Sequence, residues 1–419
     1  AHGVVAANAQ ENPAPSVRRF PWPEAAGGAE ETAAAFDREW VDAAWAWRGE
    51  TGRYFPKIAR PDAIDALRAQ VGWLLGLHGA GGEDVETVAL RVAALLRAGQ
   101  PDAARAWIDR VAATAQTNGW IPPVLMPNGA AAPKLWLEKR HAAQGQFVFM
   151  ALEYYRFTQD AAFLRETYPR LKDAMAYLQG LRAELETTEW KLPEDERYLV
   201  EGLLPPAGAP PGSAQPVHPY ADQYWALLGW KECRAAASRL GLDADAVWAD
   251  EQYRALKSAV RRSLRARMDL MEASWIPAAA EESRFDAAST ALLFWPCEET
   301  DLVEPHELQS SLDAFYDGFL QRRLPGWSGL APSYESLLLA PLASMGRGDY
   351  AREVLYALLE RRQPAGWQVW ADAMGSDVRQ PGQIGAMPDV RAAASYLIGT
   401  RGLAARENGK RLELFSGAP

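Results

Sequence analysis

Acidic and aromatic side chains occur together where a long uncharged loop runs into a helical segment. After the stretch "GLLPPAGAPPGSAQP" the chain reaches His218, Tyr220, Asp222 and Trp225. Asp222 and Trp225 stand three residues apart, so one helix face presents a carboxylate beside an indole. An indole offers an apolar face for the C–H face of a sugar ring, and a carboxylate accepts hydrogen bonds from its hydroxyls. The pattern indicates a carbohydrate site, and the simpler alternative is that Asp222 only stabilises a helix N-terminus.

Four further junctions between a loop and a helical segment carry acids, aromatic rings or cations beside an apolar run. Such clusters suit the binding of a sugar. At the first junction a solvated helix start with ion pairs is the simpler alternative, and at the second junction Asp286 has the alternative of capping a helix. The residues are Trp136, Glu138, Arg140 and His141 at the first junction, Glu281 and Asp286 at the second, Tyr334 and Glu335 at the third, and Trp367, Trp370 and Asp372 at the fourth.

Paired carboxyl groups are the chemistry that these clusters offer. Glycoside hydrolysis needs a protonated carboxyl group and a carboxylate, about 5–5.5 Å apart in retaining enzymes and roughly 6.5–9.5 Å apart in inverting ones. We predict Asp372, which lies between Trp370 and Met374, as the base or nucleophile. Glu138 or Glu335 is predicted as the acid, because a carboxyl group that faces an apolar cup has a raised pKa.

Helical periodicity positions these clusters. From residue 34 almost to the C-terminus, apolar residues recur three and four positions apart, and glycine often closes the segment. Strands that alternate with helices are absent, which argues against Rossmann and TIM architectures. The pattern predicts an all-α (α/α)6 barrel, a toroid of six helical hairpins whose loops form a cup at one rim. The long loops predicted for this rim span 119–137, 187–217, 271–285, 322–333 and 363–387.

The two ends of the chain differ from this pattern. Residues 1–33 are rich in Pro, Gly and Ala and are predicted as an irregular N-terminal arm or linker. Residues 34–419 are predicted as a single toroid domain. Near the end of that domain, an Asn408-Gly409 turn between two short alternating runs predicts a small β hairpin.

The composition narrows the class of ligand. The 419 residues carry a formal net charge of -10 with scattered Lys and Arg, which argues against nucleic acid and membranes as partners. The 17 Trp residues suit a cleft for an oligosaccharide or polysaccharide, although most of them are expected in the core. No metal or other cofactor is predicted, because the His, Cys and acidic residues lack ligand spacing. Cys233 and Cys297 are either two buried thiols or one disulfide.

The first ten residues, "AHGVVAANAQ", lack the basic and apolar regions of an intact signal peptide. Earlier cleavage of such a peptide is compatible with this start. The expectation is a periplasmic or secreted protein, and a cytoplasmic protein is the alternative.

Five segments in a fixed order carry a family resemblance. Their order resembles that of the six-hairpin glycosidase superfamily, which includes the glucoamylase and α-L-rhamnosidase catalytic domains, and it looks closest to an uncharacterised bacterial branch. The resemblance covers about residues 55 to 419. It implies a toroid and hydrolysis of an oligosaccharide or polysaccharide. The segments are "QGQFVFMALEYYRFTQD", "VHPYADQYWALLGW", "IPAAAEESRFDAAST", "PSYESLLLAPLASMGRGDYA" and "GWQVWADAM" with "IGAMPDV".

The resemblance implies that Asp222 and Trp225 form the sugar-binding floor and that Asp372 stands where such enzymes often have a glutamate base. Three features depart from it: the base is the shorter Asp, the 202–217 loop lacks an acid, and Asp389 replaces a histidine. One alternative is therefore a carbohydrate-binding protein with a degenerate catalytic site. Another is an (α/α) polysaccharide lyase or sugar epimerase, with His141, His218, Tyr220 and Arg140 as the groups that transfer protons.

Overall fold

A computed structural model of the chain provides the structure. Among the residues that it describes, no helix is both apolar enough and long enough to cross a membrane. The first part of the helical pattern predicted from residue 34, up to residue 60, lies outside the described residues. The structure describes residues 4–6, 17–19, 61–76, 82–126, 140–186, 197–207, 215–324, 330–362, 365–375, 384–408 and 411–414.

The described chain is mostly α-helical. Its helices are α1 (Pro61–Gly76), α2 (Val85–Arg97), α3 (Pro101–Thr114), α4 (Ala142–Thr158), α5 (Ala161–Glu186), α6 (Tyr220–Leu240), α7 (Asp243–Met271), α8 (Ala287–Phe294), α9 (Pro305–Arg322), α10 (Pro332–Leu337), α11 (Leu339–Ser344), α12 (Gly348–Glu360) and α13 (Val390–Ala404).

Alternate helices close into a ring. Helix α2 packs on α4, α4 on α6, α6 on α8, α8 on α10, α10 on α13, and α13 returns to α2. The helices between them lie outside this ring: α1 packs on α13, α3 on α2 and α4, α5 on α4 and α6, and α7 on α6. This arrangement confirms the predicted (α/α)6 barrel. The N-termini of all the inner helices lie at one end of the ring, because each outer helix leads back to that end.

The inner helices are apolar on nearly every side, because neighbours surround them. In α4 every residue from Ala142 to Tyr154 is buried, whereas α5 alternates buried and exposed positions as a surface helix does. Glycine lets the inner helices approach closely. A Cβ at Gly145 of α4 would lie 1.9 Å from the carbonyl oxygen of Trp225 in α6. Any larger residue there would push these two helices apart.

Within the described ranges, four antiparallel pairs of short strands lie outside the helices. The C-terminal pair confirms the predicted hairpin, although Asn408 pairs with Arg411 rather than starting the turn. The first pair lies within residues 1–33, which the sequence predicts to be irregular. The strands are β1 (Val4–Ala6) with β2 (Val17–Arg19), β3 (Glu83–Asp84) with β4 (Val124–Leu125), β5 (Pro277–Ala279) with β6 (Glu282–Phe285), and β7 (Ala405–Asn408) with β8 (Arg411–Leu414).

Two other elements differ from the sequence prediction. The predicted loop 271–285 contains the β5–β6 hairpin, which Arg267 holds by donating a hydrogen bond to the carbonyl of Ala280 at 2.6 Å. The single helix predicted after residue 333 is divided into α10 and α11 at Leu338. Pro341 explains this division, because proline has no N–H to continue the helical hydrogen bonds.

Candidate active site

Aspartates cap three of the six inner helices at the same end of the ring. Asp84 accepts a hydrogen bond from the backbone N–H of Thr87 at 2.8 Å. Asp286 accepts one from Ser289 at 3.0 Å, and Asp389 accepts one from the residue three positions later at 2.6 Å. A carboxylate at this position satisfies a free N–H group of the first turn. The simpler alternative for Asp286, that it caps a helix, is therefore confirmed.

An ion pair joins the starts of α4 and α6. The Nε and Nη2 atoms of Arg140 donate to Oδ1 of Asp222 at 2.9 and 2.7 Å. The backbone N–H of His141 donates to Oδ2 of Asp222 at 2.9 Å. Both oxygens of Asp222 thus have partners, and its side chain is only 1% exposed, whereas that of Arg140 is 19% exposed. Asp222 therefore holds Arg140, and Arg140 is the member of the pair that a ligand can reach.

A second arginine, Arg391 in the first turn of α13, joins α13 to α2 and α10. Its Nη2 atom lies 2.6 Å from Oδ1 of Asp84, and its Nε atom donates to the hydroxyl of Thr87 at 3.1 Å. Its Nη1 atom donates to the hydroxyl of Tyr334 at 3.4 Å. Burial opposes the charge of Arg391, but Asp84 and Glu86 outweigh it and raise its pKa. Arg391 therefore stays cationic.

Glu86 lies between the two arginines. Its Oε2 atom is 4.0 Å from Nη1 of Arg140, and its Oε1 atom is 3.6 Å from Nη1 of Arg391. Both separations exceed hydrogen-bond length. Among the described residues no hydrogen bond to the Glu86 side chain is present, and this side chain is 13% exposed. A carboxylate with two nearby cations and unused hydrogen-bonding capacity is a group that can receive a ligand.

The sequence predictions did not include Glu86, Asp84 or Arg391. Each stands in or just before the first turn of an ordinary helical segment. There Asp84 and Glu86 are expected simply as acids that stabilise the helix dipole. The one available signal was that α2 and α13 are nearly wholly apolar beyond that turn. When an otherwise apolar inner helix carries charges in or just before its first turn, the end of the ring that contains these first turns is expected to be charged.

A histidine–glutamate pair fastens the β5–β6 hairpin to the start of α6. The ring of His218 contacts the carboxylate of Glu281, and the backbone N–H of His218 donates to the same carboxylate at 2.8 Å. The backbone N–H of Ala280 donates to the carbonyl of His218 at 3.1 Å. Burial alone would raise the pKa of Glu281, but its contacts with His218 outweigh burial and lower it. Glu281 is thus ionised, and it holds the β5–β6 hairpin against the start of α6.

Four polar atoms near the starts of α4 and α6 are buried and have no hydrogen-bond partner within the described part of the chain. They are Nε2 of His141, Nε2 of Gln223, the hydroxyl of Tyr224 and Nε1 of Trp225. An unpaired buried polar group costs about 1–3 kcal/mol. Burial lowers the pKa of His141, so its imidazole is neutral at pH 7. A bound water or a sugar hydroxyl would satisfy such atoms.

Asp372 lies at the exposed edge of the last rim loop. Its Oδ1 atom accepts a hydrogen bond from the backbone N–H of Ala373 at 2.8 Å. A Cβ at Gly385 would come within 1.6 Å of that oxygen, so a larger residue at 385 would displace the carboxylate. Burial raises the pKa of the neighbouring Asp389, and the charges of Asp372 and Asp84 add to this effect. The charge of Asp372 therefore acts on Asp389, which is the more buried of the two carboxyl groups.

Several predicted site residues point into the protein between the two layers of helices. The hydroxyl of Tyr220 hydrogen-bonds with Ser263 of α7 at 2.8 Å. Glu335 is fully buried and lies 3.0 Å from Nη2 of Arg322 in α9. Nε1 of the buried Trp370 donates to the carbonyl of Leu358 at 2.8 Å. These contacts favour structural roles.

The remaining predicted residues have various surroundings. The Trp225 ring is buried against Phe149 at 5.7 Å between centroids. Trp367 is 60% exposed on the surface. Trp136 and Glu138 lie outside the described residues. Cys233 and Cys297 are buried and free, so the first of the two alternatives for these thiols is confirmed. Within the described ranges no group of three or more potential metal ligands occurs.

Comparisons with known proteins place the fold. No protein-family model matches the sequence, and no curated protein matches it. A GH78 family rhamnosidase from a Bacillus species superposes with a TM-score of 0.59 at 12% identity, over 84% of this chain and 36% of that chain. The fold is that of the six-hairpin glycosidases.

Two further structures have the same six-hairpin fold. A rhamnosidase from Klebsiella oxytoca with rhamnose bound gives a TM-score of 0.57 at 14% identity, over 83% of this chain and 64% of that chain. A bacterial glucoamylase complexed with acarbose gives 0.52 at 12% identity, over 76% and 48%. This chain covers less than two thirds of each of the three proteins. At such identities the similarity establishes the fold alone.

Proposed function

We propose that this protein is a glycoside hydrolase that binds one end of an oligosaccharide or polysaccharide in the cup. The observation that carries this proposal is the cluster at the inner-helix N-termini, where Arg140, Arg391 and Glu86 come together from three different inner-helix starts. A six-hairpin ring with this charged end fits a pyranose ring better than a nucleotide or a lipid. The bound rhamnose and acarbose of the structural neighbours support the same class of ligand.

Hydroxyl groups match the donors and acceptors of this cluster. A sugar hydroxyl both donates and accepts, so Glu86 can accept from it while Arg140 or Arg391 donates to it. The carboxylates around the cluster outnumber the two arginines, which disfavours an anionic sugar. The neutral His141 ring offers one more partner, since its Nε2 atom is buried and unpaired within the described residues. We therefore propose a neutral sugar as the group that is bound.

Asp372 is proposed as the base. Its exposed carboxylate is able to take a proton from a water molecule as that water attacks the anomeric carbon. The acid must keep its proton near neutral pH. Burial and the neighbouring carboxylates raise the pKa of Asp389, which makes it the proposed donor to the leaving oxygen. Glu138 remains the alternative acid. Glu335 is not proposed for this role, because it is fully buried and one of its oxygens is paired with Arg322.

A screen of 4-nitrophenyl glycosides tests the proposal. The α-L-rhamnoside, α-D-glucoside and α-D-mannoside are incubated with the protein, and release of 4-nitrophenol is recorded. We expect turnover of at least one of them and its loss in Asp372→Asn. Full turnover by Asp372→Asn would reject this residue as the base.

A carbohydrate-binding protein without catalysis is the second candidate. One observation favours it: Asp222 is wholly occupied by Arg140 and His141, and the 202–217 segment has no acid to replace it. Calorimetry that detects sugar binding, together with no product after long incubation, would support this candidate. The lyase alternative has lost one of its groups, since the Tyr220 hydroxyl is engaged by Ser263. A periplasmic or secreted location stays a prediction.

A further inference from the structure

A surface groove lies on the outer face of the ring, outside the cup but toward the end of the ring at which the cup lies. It has a volume of about 390 Å³ and runs between the C-terminal half of α5 and the turn that follows α3. This volume lies within the roughly 300–1,000 Å³ of sites for small ligands. Asp173, Tyr177, Gly180, Leu181 and Glu184 line it from α5. Their spacing of three and four residues puts them on one face of the helix.

The turn that forms the opposite wall is held firmly. The backbone N–H of Gln116 donates to the carbonyl of Trp120 at 2.9 Å, and the side chain of Asn118 accepts from the backbone N–H of Trp120 at 3.0 Å. Gly119 has a φ of +85°, and a Cβ there would lie 2.0 Å from the carbonyl oxygen of Asp173. The turn thus packs directly on α5. The groove is a preformed feature of the fold.

Gly180 is the unusual residue of the groove. Glycine weakens the interior of a helix relative to alanine. In the inner helices Gly145 and Gly399 allow close backbone contact, because a Cβ there would lie 1.9 and 1.8 Å from a neighbouring carbonyl oxygen. At Gly180 no heavy atom lies within 4 Å of the position of a Cβ. Packing therefore does not explain this glycine, and its absent side chain leaves open space beside Tyr177.

The chemistry of the lining selects one class of ligand. Tyr177, Gly180 and Leu181 form a low apolar strip, and Asn118, Asp173 and Glu184 supply polar groups along its edges. The strip suits the C–H face of a sugar ring, and the edge groups suit its hydroxyls. Among the described residues that line the groove none is cationic, which disfavours an anionic ligand. The two acids, Asp173 and Glu184, do not form a metal site, because no group of three or more potential metal ligands occurs in the described part of the chain.

We propose that this groove is a second carbohydrate-binding site, which holds one neutral sugar unit of an oligosaccharide or polysaccharide outside the cup. Tyr177 is the platform for the ring, and Gly180 provides the room above the helix. The proposed function guides only the choice of ligand class. A site of this kind raises the affinity for a polymeric ligand and leaves the chemistry in the cup unchanged.

Calorimetry on the Asp372→Asn variant tests the proposal, because the ligand is not consumed. The probes are maltoheptaose, mannohexaose and an α-L-rhamnan oligosaccharide, all of which are neutral. We expect two binding sites for at least one probe. Gly180→Leu fills the groove and Tyr177→Ala removes the platform, so each should abolish one site or weaken it about tenfold or more. Ala183→Leu adds the same side chain on α5 outside the groove lining and should have no effect.

The outcomes separate this proposal from the proposed function. One site that Gly180→Leu removes would support the groove and count against the cup. One site that neither Gly180→Leu nor Tyr177→Ala affects would overturn the groove, and so would binding of none of the probes. Heat released by calcium chloride alone and lost in Gly180→Leu would also overturn it, since the groove would then be a cation site. Circular dichroism checks that each variant is folded.

Discussion

The two ends of the ring both contain ion pairs between helices, but they use them differently. Toward the C-terminal ends of the inner helices, Glu153 of α4 lies 2.7 Å from Arg97 through one oxygen and 3.2 Å from Arg156 through the other. At the N-terminal ends, Glu86 also lies between two arginines, at 3.6 and 4.0 Å. Glu153 is saturated, in the sense that both of its oxygens have close partners, and it holds helices together. Glu86 is unsaturated in the same sense and keeps hydrogen-bonding capacity for a ligand.

This difference in saturation separates structural from functional charge. The side chains of Arg97 and Glu153 are 4% and 8% exposed. Their burial leaves no room for a ligand, and each supplies the partner that the other needs. At the cup end the unpaired His141 nitrogen adds a second unsatisfied group. Within the described residues, both groups therefore retain hydrogen-bonding capacity, whereas Arg97 and Glu153 use theirs on each other.

The largest expected effect is on catalysis at the cup. Asp372→Asn should lower kcat by about 100-fold or more, because the side chain can no longer accept a proton. The unfolding free energy should hardly change, because Asp372 is exposed and the amide oxygen can still accept from Ala373. The rate of 4-nitrophenol release measures the effect. Unchanged kcat would move the base to another residue.

The next largest effect is on stability at the saturated end. Glu153→Gln should reduce the unfolding free energy by about 3–5 kcal/mol, since the buried Arg97 loses its countercharge. Urea denaturation followed by circular dichroism gives this value. The folded fraction should keep the KM of the parent protein. A loss of sugar affinity in the folded fraction would contradict the proposal that one end of the ring is structural and the other binds sugar.

Glu86→Gln is the matched change at the unsaturated end. The sugar should lose a hydrogen bond to a charged group, and its KM or Kd should rise about tenfold or more. The unfolding free energy should change less than it does in Glu153→Gln, because no direct hydrogen bond within the described residues is lost. If Glu86→Gln were the more destabilising of the two variants, the number of close partners of a carboxylate would not distinguish a structural charge from a functional one.

The last prediction concerns the dependence of kcat on pH. The proposed acid, Asp389, works in its protonated form, and a raised pKa keeps that form at higher pH. As the pH rises through this pKa, Asp389 loses its proton and kcat falls. Asp389→Asn should remove this alkaline limb and lower the plateau. A profile of kcat against pH for both proteins checks this, and an unchanged limb in Asp389→Asn would point to Glu138 as the acid.

Much of the ring could be predicted from the sequence. The segment "GQFVFMALEYY" is apolar on all sides, which only an inner helix requires. The cup was harder. Glu86 and Arg391 are isolated residues in distant first turns, and only closure of the ring brings them together. Tyr334 and Glu335 are adjacent in sequence, yet one contacts Arg391 and the other Arg322. The rotation of a six-residue helix cannot be read from such a short segment.

The most direct test of the cup is a crystal structure of the Asp372→Asn variant soaked separately with L-rhamnose and D-glucose. We predict one sugar ring at the N-terminal ends of the inner helices, with hydroxyls within hydrogen-bond distance of Glu86 and of Arg140 or Arg391. A sugar bound only elsewhere on the molecule, with Glu86 contacted by nothing but its two arginines, would contradict the proposal that these charges form a carbohydrate site.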